Sequence, residues 1–174
     1  MIETTESIIQ WANDAFGAAP KQERAIARAN EEMAELLRAL TSGVEPAKCA
    51  EECADVAIVL VGRSFLFGCS LSELLVTNVS ERPWAPPLYY ASKAQVALGQ
   101  FMECVSLSPH NDSRPYYVAT VLTDLEKCCI ALGFNLLSCI DAKMAINRNR
   151  VWNQTGDGHG YHVRDKANAA DGAA

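Results

Sequence analysis

The sequence predicts an all-α fold, and three observations carry that prediction. Apolar residues recur at steps of three and four along most of the chain, no convincing stretch alternates apolar with polar residues, and hairpin turn signals are few. A first helix is expected over Thr5–Phe16, because Gly17 stops it and Pro20 marks the start of the next. In that second helix Ile26, Ala29, Met33, Leu36, Leu37 and Leu40 form one stripe, which ends at Ser42-Gly43. The third helix runs from about Pro46 to Phe67. Its charge lies at its start and gives way to Val56-Ala57-Ile58-Val59-Leu60-Val61, and a helix apolar on every side belongs at the centre of a bundle. Gly68 closes it, a short helix is expected from Leu71 to Val79, and Arg82-Pro83-Trp84-Ala85-Pro86-Pro87 is the clearest breaker in the chain.

With 174 residues, 49% of them hydrophobic, the chain is long enough for one well-buried domain and short for two. That domain is expected to span 1–152, with 153–174 as a flexible C-terminal loop and tail too poor in apolar surface to fold alone, disordered beyond about Arg164. A net charge of -6 argues against a nucleic-acid polymer as partner, since duplex binding is driven by Lys and Arg neutralising phosphates. The apolar run of the third helix is interrupted by Arg63 and falls short of a membrane span, and no secretory signal opens the chain. The seven cysteines form no CxxC pair, and several sit inside apolar helical patterns. They read as reduced core thiols of a cytoplasmic protein; the zinc alternative would require tetrahedral ligands at recognisable spacing.

After the breaker the pattern restarts. At an offset of 65 residues Met33, Leu36 and Leu37 fall on Leu98, Phe101 and Met102, and Gly68 and Leu71 on Gly133 and Leu136. Residues 88–152 therefore read as a degenerate second repeat. Its chemistry has not been kept, because Glu32, Glu35, Glu52 and Asp55 fall on Ala97, Gln100, Tyr117 and Thr120. Two apolar hairpins sharing a period by chance is the competing explanation.

Those four acids are the candidate metal ligands. Glu32 and Glu35 lie three residues apart on one helix and Glu52 and Asp55 three apart on the next, so each pair projects from one helical face within the segment 22–67. Carboxylates gathered away from bulk water repel one another strongly unless cations fill the space between them. Mg2+ or Mn2+ suits such a set, being a hard ion that bridges carboxylates to substrate phosphates. A single ExxE is usually a solvated face. Glu52 and Asp55, however, open a helix that continues apolar all round, which places at least one of them inside the bundle. Glu31 lies about 100° from Glu32 around the axis and is either a supporting group or solvated.

At the other end, Lys143, Asn147 and Arg150 follow at steps of four and three on one face. A point charge, an amide and a planar guanidinium together suit a triphosphate, although an exposed basic last turn would carry the same residues. Beyond them Trp152 and the loop Gly156-Asp157-Gly158-His159-Gly160-Tyr161-His162 could close over a base, with His159 and His162 as a weaker metal pair. His110 reads as loop surface. Trp11, Trp84 or Trp152 could stack on a purine, and packing in the core is the commoner role of a tryptophan.

In these motifs the chain resembles the MazG-like family of all-α nucleoside triphosphate pyrophosphohydrolases. Glu31-Glu32-Met33-Ala34-Glu35-Leu36 is similar to the family's EExxE helix, Glu52-Cys53-Ala54-Asp55-Val56 to its ExxD helix, and Lys143, Asn147 and Arg150 to its KxxxNxxR helix end. The resemblance implies that Glu32, Glu35, Glu52 and Asp55 hold Mg2+ or Mn2+, and that Lys143, Asn147 and Arg150 contact the phosphates. It further implies that Glu35 or Glu31 orients or deprotonates the attacking water. The activity implied is conversion of a nucleoside triphosphate to its monophosphate and pyrophosphate. The Asn147-to-Trp152 ending with its Gly-Asp-Gly-His loop is similar to bacteriophage members acting on dATP or dGTP, the MazZ branch among them, which makes dGTP the expected substrate. A dUTP or dCTP housecleaning enzyme and a non-catalytic nucleotide-sensing or interaction module are the alternatives. Small members complete their bundles by oligomerising, so a homo-oligomer, dimer or tetramer, is implied here, in part replaced by the extra helices between Val79 and Asp141.

Overall fold

The computed structural model describes residues 2–17, 22–62, 71, 75, 83–107, 114–154 and 160–162. Among them six helices form an all-α bundle: α1 (Thr5–Phe16), α2 (Gln22–Thr41), α3 (Pro46–Val61), α4 (Pro87–Leu107), α5 (Arg114–Leu132) and α6 (Leu136–Asn149). Expected features at Pro20, 63–70, 72–74, 76–82, 108–113, 155–159 and 163–174, including most of the expected helix from Leu71 to Val79, Arg82, His110, His159 and the end of the tail, lie outside the described residues.

Local chemistry fixes the helix ends. Thr4 caps α1 through a reciprocal pair: Ser7 N–H donates to Thr4 Oγ1 (3.1 Å) and Thr4 N–H to Ser7 Oγ (2.9 Å), which satisfies amides that no helical carbonyl can reach. Pro46 opens α3, where a missing N–H costs nothing. On α2 the stripe Ile26, Ala29, Met33 and Leu36 is fully buried. Helix α3 is central, as its apolar circumference requires: it packs against α1, α2, α5 and α6, and from Val56 to Val61 only Val59 is not fully enclosed. Helices α2 and α3 form one hairpin and α4 and α5 a second, joined by α2 against α4 and α3 against α5.

The turn into α6 decides where that helix lies. Gly133 has φ +91°, a left-handed conformation that a Cβ disfavours, and Phe134 N–H returns to Cys129 O at 2.8 Å. Asn135 then caps α6 by accepting from Ser138 N–H (3.0 Å), while the buried Glu126 carboxylate accepts from Leu136 N–H (2.8 Å). The chain thereby bends by 94° between α5 and α6 and lays α6 across α3.

The periodicity predicts no strand, yet Trp152–Gln154 (β1) pairs antiparallel with Gly160–His162 (β2), Asn153 opposite Tyr161. Strands of three residues are too short for alternation to register in a sequence. No single helix among the described residues is long and apolar enough to cross a membrane.

Candidate metal centre

The hairpin of α2 and α3 brings three of the four expected carboxylates together. Glu32, Glu52 and Asp55 each offer an oxygen within 4.8 Å of the others, and among the described residues no other three His, Cys, Asp or Glu side chains converge in this way. Glu32 and Glu52 are both 7% exposed, so this is not a solvated face. Spacing explains the pair on α3, since residues three apart share a face. The approach of α2, set by its apolar stripe, supplies Glu32. Glu35, one turn further along α2, is exposed and stands outside the triad. Glu31 is exposed and paired with Arg28 at 2.7 Å.

Burial dominates the electrostatics. It pushes the Glu32 carboxyl up to about 7, against the opposing pull of Arg28, and the charges of Asp55, Glu35 and Glu52 add to the rise. Asp55 is also raised, again by burial first, with Lys143 pulling the other way. Two acids that resist ionising beside a third form a set of hard oxygen donors whose shared negative charge a divalent cation would relieve.

Of the expected phosphate contacts, Lys143 reaches the triad: its Nζ is 2.5 Å from Asp55 Oδ2, and the side chain is only 8% exposed. The bend at Gly133 makes this contact, by directing α6 over α3. Asn147, one turn on, is buried; its Oδ1 accepts from Arg150 Nη1 (3.1 Å) and its carbonyl from Trp152 Nε1 (2.9 Å). Trp152 packs edge-on against Trp11 (5.8 Å between centroids) and Phe16 (5.1 Å), fastening β1 to α1. The last residues of α6 are held from the far end of the chain as well, because Arg148 grips the buried Glu3 carboxylate (2.7 and 3.0 Å).

Two cations escaped sequence reasoning. Arg28 pairs with Glu32, and Lys48 Nζ lies 3.1 Å from Glu52 Oε1. Their signal is a basic residue four positions before each buried acid, the spacing at which helical side chains meet. The six described cysteines are unpaired thiols, five of them buried.

Comparison with protein-family models, with curated proteins and with solved structures finds no match for this chain.

Proposed function

We propose that this protein is a divalent-metal-dependent hydrolase that converts a nucleoside triphosphate to its monophosphate and pyrophosphate. One observation carries the reading: the buried convergence of Glu32, Glu52 and Asp55 within 4.8 Å, with the Lys143 ammonium on its edge. The donor set fits Mg2+ or Mn2+, being all carboxylate with no sulfur or imidazole. Such an ion, held by these residues with Glu35 close by, would neutralise phosphate charge and polarise the reacting water.

The chain's own residues do the rest. Lys143 and Asn147 on α6 supply an ammonium and an amide, and Arg150, in extended backbone just past the helix end rather than on its face, supplies a guanidinium through its contact with Asn147, a graded grip for the phosphates and the departing pyrophosphate. Glu35 or Glu31 takes the proton of the water whose oxygen bonds to the α-phosphorus as the bond to the bridging oxygen breaks. Trp152, the first residue of β1, is the candidate contact for the base. The resemblance to MazG-like enzymes supports a purine deoxynucleotide, dGTP first, with dUTP and dCTP as alternatives. On this reading the protein works in the cytoplasm, of the host cell if phage-encoded, as a homo-oligomer. The same reading makes 88–152 a degenerate repeat of the metal-binding hairpin; Met33 and Leu98, and Leu36 and Phe101, are fully buried at matching positions.

A competing reading, a non-catalytic helical module, draws on the fact that every acid of the triad already has a basic partner. A panel of natural ribo- and deoxynucleoside triphosphates with Mg2+ or Mn2+ separates the two. The expected result is metal-dependent release of pyrophosphate with stoichiometric monophosphate from at least one nucleotide. Release from none of them sinks the hydrolase and favours the module.

A further inference from the structure

We infer that Arg28 and Lys48 are built-in counterions of the triad, displaced from Glu32 and Glu52 when a divalent cation binds and then turned onto the polyphosphate. The inference rests on the proposed hydrolase function and assigns two residues which that function leaves without a role.

The two helices carry the same short pattern. Arg28-Ala29-Asn30-Glu31-Glu32 on α2 and Lys48-Cys49-Ala50-Glu51-Glu52 on α3 each place a cation ahead of an exposed acid at the third position and a buried acid at the fourth. In both, the cation contacts the two acids at once. Arg28 pairs with Glu31 at 2.7 Å and with Glu32; Lys48 lies 3.0 Å from Glu51 and 3.1 Å from Glu52. The outer acids are 59% and 46% exposed at the side chain, the inner ones 9% and 10%. Each cation therefore stands between an acid of the metal site and a solvent-facing acid able to receive it.

Burial divides the three cations into two kinds. Lys143 is 8% exposed and enclosed with Asp55, whereas Arg28 and Lys48 are 42% and 49% exposed, on long stems at the rim. Pairs that open to water are weakly held, and a rotamer change releases them. Without metal the rim cations balance charge that burial makes costly. A divalent ion needs the same oxygen lone pairs and must move them aside. Once moved they remain tethered at the mouth, where a triphosphate arriving with the metal is the strongest anion available.

This arrangement gives a crossed signature that a purely structural ion pair cannot give. Mn2+ binding to wild type, Arg28→Gln, Lys48→Gln and the double variant is followed by the paramagnetic resonance of unbound Mn2+, with circular dichroism confirming the fold. Inorganic tripolyphosphate, which has no base to choose, is then titrated as its Mn2+ complex by calorimetry. Each single variant is expected to bind bare Mn2+ about three- to tenfold more tightly, since a like charge next to the ion is gone. Each should bind the tripolyphosphate complex about tenfold more weakly, having lost a charge-assisted contact. Wild-type protein that binds Mn2+, with variants that bind it equally or less well, overturns the inference and leaves the hydrolase function standing; unchanged tripolyphosphate affinity overturns its phosphate half. Wild-type protein that binds no Mn2+ overturns the hydrolase function and this assignment with it.

Discussion

Glu52→Gln is expected to lower pyrophosphate release by at least about 100-fold, roughly 3 kcal/mol of transition-state stabilisation, while leaving the fold intact. The substitution keeps volume and one acceptor but removes a full charge from the triad. Lys48, which loses its inner partner, is half-exposed and still has Glu51 at 3.0 Å. Asp55→Asn should behave differently although the chemical change is the same. Its partner Lys143 is buried and would lose the acid it is paired with, and breaking an enclosed pair on one side costs a few kcal/mol. Steady-state rates and urea midpoints for both variants, measured side by side, provide the check. Asp55→Asn should lose activity and stability, Glu52→Gln activity alone. Full activity in Glu52→Gln would remove that residue from the machinery.

Metal-free protein is expected to become less stable as pH rises from 5 to 8, the reverse of the usual behaviour of paired carboxylates. Unfolded, Glu32 ionises near its ordinary value of 4.5; folded, burial holds it at about 7. Between those values the folded chain binds the extra proton, so stability falls with each step up in pH until the folded group has ionised. The shift corresponds to about 3 kcal/mol, or roughly 5–10 °C in melting temperature for a chain of this size. Asp55 is raised as well and acts in the same direction. Glu3 opposes it at the acid end: the Arg148 hydrogen bonds hold it low, so its contribution is present above its ordinary value and is lost as pH falls through the depressed one. Mg2+ or Mn2+, which requires the ionised acids, should restore the lost stability at pH 8, and Glu32→Gln should flatten the profile. Melting curves of chelator-treated protein across this range test it, and a rising curve would contradict the burial argument.

Much of the fold was legible in the chain because it is local. Thr5–Phe16 and the Pro46 start of α3 follow from caps, prolines and period alone, and the central place of α3 follows from Val56 to Val61 having no polar side. The candidate metal ligands were legible in part. Three-residue spacing marks Glu52 and Asp55, but the same spacing marks Glu35, which is exposed. Spacing assigns residues to a face; only the approach of a neighbouring helix decides which part of that face is covered. The contact of Lys143 with Asp55 depends on a 94° bend set by Gly133 and Asn135, and the hold of Glu3 on Arg148 spans 145 residues. Neither leaves a periodic trace. Arg28 and Lys48 were readable by their spacing, yet they pass for ordinary surface ion pairs until the acids they hold prove to be buried.

The proposed function requires Glu32, Glu52 and Asp55 to hold a divalent cation jointly. Crystals grown with MnCl2 and measured at the manganese absorption edge address it with no substrate present. An anomalous peak within bonding distance of oxygens from all three carboxylates is the predicted result. Well-ordered carboxylates with no peak between them, and Arg28 and Lys48 still seated on Glu32 and Glu52 in the presence of Mn2+, would contradict it.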